Sequence, residues 1–67
     1  MNIFINDVPT VLPDDNMNLT DLAKWKNISN QATAIAVNDK LIRQNLWSVT
    51  YLKDRDRVTI ISAAFGG

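Results

Sequence analysis

Sixty-seven residues make one small domain, and its seven basic and seven acidic side chains leave no net charge to attract nucleic acid or an anionic membrane. The sequence contains no Cys and no His, and all of its acidic residues are Asp, so the commonest nucleophiles, general bases and metal ligands are missing. Its apolar runs are too short to span a bilayer, and its first residues lack the pattern of a signal peptide. We therefore expect a soluble cytoplasmic protein that is not an enzyme.

The chain begins with a predicted β-hairpin. Residues 3–5 are β-branched and aromatic, and residues 8–12 supply a second extended segment. Asn6 and Asp7 between them both tolerate a positive φ, which favours a tight hairpin turn. Because Pro9 has no N–H to donate to a neighbouring strand, the second strand is expected at an edge of the sheet.

A short amphipathic helix is predicted over residues 19–26. Asn18 is a favourable N-cap, and Asp21 three residues later completes a capping-box pattern. The core-facing stripe consists of Leu19, Leu22 and Ala23. Lys26 falls on the same stripe, so either its aliphatic stem lies across the apolar surface or the helix frays there and Trp25 covers the edge of the core.

Three further strands are predicted in the second half of the chain, over residues 33–37, 40–42 and 58–62. A turn at Asn38 and Asp39 joins the first two of them. Residues 45–47 are expected to form a single helical turn, and a charged turn over residues 53–56 leads into the last strand.

The order β-β-α-β-β-β with short connections predicts an α+β fold, in which one helix packs across a mixed sheet of four to five strands. If the last strand lies parallel beside the first, it occupies the centre of the sheet, which is the β-grasp arrangement of ubiquitin-like domains. We assign residues 1–64 to this domain and residues 65–67 to a flexible tail.

The two glycines of the sequence, Gly66 and Gly67, stand together in this predicted tail. Residues without a Cβ adopt any φ and allow close approach, so such a tail can enter a narrow channel of another protein. There the carboxylate of Gly67 can be activated, for example as a mixed anhydride with AMP. The alternative is that the glycines are incidental, as a frayed end or a cloning scar.

The second half of the chain contains the motifs AVNDK at 36–40, Arg43, Trp47, LKDRDRV at 52–58 and AAFGG at 63–67. They resemble the ThiS family, the sulfur carriers of thiamine biosynthesis, whose pattern is A-V-N…R…W…L-x-D-G-D…V with a Gly-Gly end. The segment NLTDLA at 18–23 is similar to T-V-x-x-L-L of the family. Arg55 departs from the pattern, which has Gly there; if the turn keeps a positive φ, Arg costs on the order of 1 kcal/mol. Ile42 also replaces a frequent Pro.

The resemblance implies that other proteins act on Gly67, with Gly66 giving its carboxylate access. A ThiF-like adenylyltransferase would use ATP to form an acyl-adenylate, and a persulfide sulfur donor would convert it to a thiocarboxylate. A ThiG-like thiazole synthase would then take the sulfur into the thiazole ring of thiamine. The chain itself is expected to bind no cofactor, metal, nucleic acid or membrane.

A docking surface for these partners is predicted on the sheet. If Val58 faces the core, strand alternation turns Ile61 and Ala63 outward, and Phe4 and Phe65 join them in an exposed apolar patch. The alternative places Phe4 in the core and leaves Ile61 as an isolated exposed residue.

The basic residues of the second half are interleaved with Asp, and we interpret them as a solvated turn surface. An RNA-binding surface would need exposed aromatic side chains beside them. Trp25, Trp47 and Tyr51 are instead predicted in the core or at its edge.

Three other functions are considered. One is a sulfur carrier of another pathway, similar to the small subunit of molybdopterin synthase, although those chains are usually longer. A second is a ubiquitin-like binding module with incidental glycines, which would tolerate residues added after Gly67 where a carrier would not. Catalysis by the paired carboxylates Asp14 and Asp15, or Asp54 and Asp56, is the weakest interpretation, because both pairs lie in predicted turns.

Overall fold

The computed structural model describes residues 1–28 and 33–62. Its elements are, in chain order, strands β1 (Asn2–Ile5) and β2 (Val8–Val11), helix α1 (Leu19–Trp25), strands β3 (Thr33–Val37) and β4 (Lys40–Ile42), a 3-10 helix (Gln44–Val49) and strand β5 (Arg57–Ser62). Each predicted strand is present with ends shifted by at most one residue, and the predicted helical turn is a longer 3-10 helix. The boundary between residues 1–64 and the tail 65–67 lies outside the described residues and stays a prediction.

The five strands form one mixed sheet in the order β2-β1-β5-β3-β4. Strands β1 and β5 are parallel, with Phe4 opposite Arg57 and Ile5 opposite Val58, whereas the other neighbouring strands are antiparallel. The last strand therefore occupies the centre of the sheet, and α1 packs its buried side chains against one face. This confirms the predicted α+β class and the β-grasp arrangement.

Both hairpins close with two-residue turns of Asn followed by Asp. The φ angles are 49° and 68° at Asn6 and Asp7, and 51° and 70° at Asn38 and Asp39. Two successive positive angles are those of a type I′ turn, whose twist matches that of the flanking strands. Asn and Asp enter the left-handed region more readily than most other side chains, which is why residue type alone predicted both turns correctly.

Strand β2 lies at an edge of the sheet, as predicted from Pro9. The Leu12 N–H donates to the Met1 carbonyl at 2.8 Å, so Met1 and Leu12 form a hydrogen-bonded pair of the hairpin. Hydrogen-bonded and non-hydrogen-bonded pairs alternate along an antiparallel hairpin, which makes Phe4 and Pro9 a non-hydrogen-bonded pair. The N–H that Pro9 lacks would point away from β1, and no ladder bond is lost. Pro9 also removes one donor from an open edge, which discourages pairing with a second chain.

Helix α1 begins at a complete capping box. The Asn18 side chain accepts a hydrogen bond from the Asp21 N–H at 2.7 Å, and the Asn18 N–H donates to the Asp21 carboxylate at 3.3 Å. The helix ends at Trp25, with Lys26 as its C-cap and Asn27 at a φ of 58° directly after it.

Both Trp25 and Lys26 are exposed, and the Lys26 ammonium lies 5.9 Å from the centre of the Trp25 indole. The expectation that Trp25 covers the core edge was therefore wrong, because Trp25 lies off the stripe of Leu19, Leu22 and Ala23 that the helix buries.

One apolar core lies between the sheet and α1. Its most completely buried large side chains are Trp47, Ile3, Leu19, Leu22, Ile35 and Val58. Trp47, from the 3-10 helix, is 2% exposed, and its indole N–H donates to the Ile42 carbonyl at 3.0 Å, so its polar group is paired on burial. The prediction for Trp47 is confirmed, whereas that for Tyr51 was wrong: Tyr51 is exposed because Leu52 takes the inward position beside it.

A hydrogen-bond network around buried Asp56 holds the loop that precedes β5. The Asp56 carboxylate accepts from the Asn38 side chain at 3.0 Å and from the Lys53 N–H at 2.8 Å. The Arg57 N–H donates to the Asn38 side-chain oxygen at 3.0 Å, and the Asn38 N–H donates to the Arg57 carbonyl at 2.7 Å. The turn between β3 and β4 is thereby tied to the start of β5.

None of the helices in the described residues is long and apolar enough to cross a membrane.

Arg55, in the same loop, has a φ of 70°, so the turn does keep the left-handed geometry for which Gly is favoured. Its guanidinium lies 3.8 Å from the Asp54 carboxylate on the surface, a contact that contributes little to stability.

We expect Arg55→Gly to raise the free energy of unfolding by about 0.5–1 kcal/mol in urea denaturation, because Gly adopts this φ without steric cost. Lys53→Gly, at a residue without a positive φ, is the control and should lower stability. Equal effects of the two substitutions would contradict this explanation.

Candidate functional site

Strand β5 carries the chain from the centre of the sheet toward the predicted tail. Val58 and Ile60 face the core, whereas Arg57, Thr59 and Ile61 alternate with them and face the outer side of the sheet, away from α1. Outside the described residues lie four tail residues with predicted roles, namely Ala63, Phe65, Gly66 and Gly67. Their roles stay predictions.

The two described members of the predicted docking patch are Phe4 and Ile61. Both are exposed on the outer side of the sheet, Phe4 by 39% and Ile61 by 53%, so the alternative that put Phe4 in the core was wrong. Phe4 pairs with Arg57, however, which places it four residues from Ile61 along β5, or about 13 Å of strand. The structure thus puts the two side chains on one face without making them direct neighbours.

Sequence analysis missed three residues that extend the apolar surface around Ile61. Ala34 pairs directly with Ile61 across β3 and β5, and Ala36 pairs with Leu41 across β3 and β4. Leu41 is 64% exposed. We call Ile61, Ala34, Ala36 and Leu41 the outer strip. The alternation of small residues in β3 could have indicated this face, but which strand lies beside β3 could not be known without the sheet order.

Arg55 and Arg57 form exposed ion pairs with Asp residues, Arg55 within its own turn and Arg57 with the turn between β3 and β4. Arg57 lies 3.6 Å from Asp39, and Arg55 lies 3.8 Å from Asp54. Such pairs are weak and solvated. They agree with the interpretation of these basic residues as a turn surface.

The carboxylate pairs considered for acid–base chemistry are engaged in turn structure. Asp56 is bonded within the loop before β5, and Asp54 accepts from the Asn2 N–H at 2.8 Å. Asp14 accepts from the Asn16 N–H at 3.0 Å, two residues further along the chain. Within residues 1–28 and 33–62, no three metal-binding side chains come together. Asp15 lies 2.9 Å from the N-terminal ammonium of Met1, so each of the four carboxylates has a partner within the fold.

A shallow groove of about 330 Å³ is lined by Met1, Asp15, Leu52, Lys53 and Asp54. It lies at the end of the sheet where β1 and β5 begin. The chain leaves β5 toward the tail at the other end. The groove contains one carboxylate of each pair considered for catalysis, Asp15 and Asp54, but neither Phe4 nor Ile61, and it lies at the opposite end of β5 from Ser62.

Comparison with known protein families gives a match over nearly the whole chain. The model of the ThiS family matches residues 5–67, which include β5 and the glycine pair. A comparison with curated proteins gives no match.

Two solved structures from Geobacter metallireducens are similar to this chain. A crystal structure of the thiamine biosynthesis protein ThiS is 22% identical, with a TM-score of 0.86 and all of both chains covered. That likeness shows the shared fold alone. An NMR solution structure of a thiamine biosynthesis protein is 26% identical, with a TM-score of 0.82, and covers 100% of this chain and 88% of the other.

Proposed function

This chain belongs to the ThiS family, and we propose that it is a sulfur carrier for thiamine biosynthesis whose C-terminal Gly67 carboxylate becomes a thiocarboxylate. The observation that carries the proposal is the family match through residue 67, on a fold that places the strand before the tail at the centre of its sheet. The family supports a carrier, and the bonded state of the Asp pairs gives no competing site for side-chain catalysis. We place this activity in the cytoplasm.

The proposed chemistry takes place in three steps on Gly67. A carboxylate oxygen attacks the α-phosphorus of ATP on a ThiF-like adenylyltransferase, and pyrophosphate leaves, which gives an acyl-adenylate. A persulfide sulfur then attacks the acyl carbon and releases AMP, and a thiol cleaves the resulting S–S bond to leave the thiocarboxylate. A ThiG-like thiazole synthase consumes this sulfur. Each catalytic group belongs to a partner, since the carrier supplies the carboxylate, its reach and a docking surface.

The fold supports this division of roles by giving the tail a fixed starting point. β5 pairs with β3 along five positions, from Ser62 opposite Thr33 to Val58 opposite Val37, and it pairs with β1 on its other side. Five residues follow Ser62, which fully extended span at most about 18 Å. The carboxylate can therefore reach only an active site that lies close to the end of β5, so the partner must dock near that end. Ile61 of the outer strip is the exposed apolar residue of β5 nearest to it.

The direct test is the intact mass of the untagged chain after incubation with ATP, sulfide and an active ThiF-like adenylyltransferase. We expect a mass gain equal to the difference between one sulfur and one oxygen atom. The gain should disappear when ATP is omitted and when Gly67 is deleted, because each change removes one reactant of the adenylation step. No gain with a transferase that modifies its own carrier would contradict the proposal and favour a ubiquitin-like binding module.

Docking through the outer strip is tested by Ile61→Asp. A carboxylate at this exposed position should raise the KM for the carrier in adenylation about tenfold or more, because it must be desolvated in an apolar interface. Circular dichroism should show an unchanged fold, since Ile61 does not belong to the core. The readout is the initial rate of pyrophosphate release as a function of carrier concentration.

Val11→Asp is the matched control for this substitution. Val11 is also exposed and apolar, but it lies on the edge strand β2, two strands away from β5. The Val11→Asp substitution introduces the same charge and should leave the KM for the carrier within about twofold of the wild-type value. An unchanged KM for folded Ile61→Asp, or equal increases for both variants, would exclude the outer strip as the docking surface.

A further inference from the structure

Strand β1 leaves the sheet before β5 has ended. β1 stops at Ile5, and the Asn6 N–H makes the last main-chain bond to β5, donating to the Val58 carbonyl at 2.9 Å. The chain then turns into the first hairpin, while β5 continues to Ser62. Among residues 1–28 and 33–62, the side of β5 that faces β1 therefore has no main-chain partner after Val58.

The side chain of Asn6 replaces that partner. The Ile60 N–H donates to the Asn6 side-chain oxygen at 2.8 Å, and the Asn6 side-chain NH₂ donates to the Ile60 carbonyl at 3.3 Å. One planar amide thus satisfies a donor and an acceptor on the same residue, a task for which a parallel neighbouring strand would use two peptide groups. Ile60 lies seven positions before Gly67.

The other side of β5 is paired with β3 as far as Ser62. Asn6 is therefore what holds the last part of β5 on its β1 side. We propose that Asn6 is a positioning residue for the C-terminal tail, one that fixes the last part of β5 and with it the point from which the tail carries the Gly67 carboxylate to the adenylating partner. This inference rests on the proposed carrier function.

The position places two separate demands on residue 6. The backbone requires a φ of 49°, which Gly adopts most easily, and the bonds to Ile60 require a short side chain with both a donor and an acceptor. Asn meets both demands, whereas Gly would meet only the first. Asp7, the next residue, has a φ of 68° but makes neither of the side-chain bonds to Ile60. Substitution of Asn6 therefore changes both the turn and the hydrogen bonds to Ile60, whereas substitution of Asp7 changes the turn alone.

A loss of this hold should act on the catalytic step more than on docking. Docking is assigned to the outer strip, which Asn6→Gly leaves in place, so KM should change little. A less constrained end of β5 spreads the carboxylate over more positions, and the fraction aligned with ATP falls. Since that alignment is needed only for reaction, kcat should fall.

The experiment compares Asn6→Gly with the control Asp7→Gly in the full chain. We expect Asn6→Gly to retain a melting temperature close to the wild-type value, because relief of the positive φ offsets the lost bonds. Its kcat for adenylation should fall about threefold to tenfold with KM within about twofold, and the Ile60 amide should exchange with solvent at least about tenfold faster by NMR. Asp7→Gly relieves a positive φ without losing a bond to Ile60, so it should raise the melting temperature slightly and leave kcat, KM and the exchange of the Ile60 amide unchanged.

Unchanged Ile60 exchange, or unchanged kcat, in Asn6→Gly would overturn the inference while the proposed function stands, provided that the wild-type chain is adenylated. If the wild-type chain is not adenylated by an active transferase, the proposed function fails by itself. Residual dipolar couplings of residues 63–67 then decide the positioning claim. Couplings that differ between Asn6→Gly and Asp7→Gly support it, and identical couplings overturn it.

Discussion

The parallel pairing of β1 with β5 is the constraint on which the rest of the structure depends. It joins the first and last strands of the domain, with the Phe4 and Asn6 N–H groups donating to the Asp56 and Val58 carbonyls at 2.9 Å each. Closing so long a loop costs conformational entropy, which burial of Ile3, Ile5 and Val58 against α1 offsets. Because the last strand is central and not at an edge, the tail begins from the best-supported part of the sheet.

Two asparagines reinforce this central strand from opposite sides. Each begins a type I′ turn, and each accepts a hydrogen bond from a β5 N–H, Asn38 from Arg57 and Asn6 from Ile60. Hairpin turns that would otherwise only reverse the chain thereby also hold β5 near both of its ends. These side-chain bonds restrict the motion of β5 in a small domain. In a carrier, β5 is the strand from which the C-terminal tail starts.

The parts of the fold that local chemistry determines could be predicted from the sequence. The Asn-Asp turns, the capping box at Asn18 and the edge position of Pro9 each follow from the hydrogen-bonding groups of a few adjacent residues. The exposure of Trp25 and Tyr51, the outer strip with Leu41 and the bonds from Asn6 to Ile60 could not, because they depend on which side chains the helix and loops turn toward the sheet and on which strands become neighbours. The glycine pair and the family pattern both point to Gly67, and its role stays a prediction because it lies outside the described residues.

The central claim is that the carboxylate of Gly67 is the working group of this protein. It is tested most directly by ATP–pyrophosphate exchange on a ThiF-like adenylyltransferase, with the native chain compared with a semisynthetic chain that carries a carboxamide at Gly67. The two chains differ in a single terminal group and keep the same sheet, outer strip and tail. Exchange with the native chain and none with the carboxamide is the predicted result. Equal exchange with both chains, or none with the native chain, would contradict the claim.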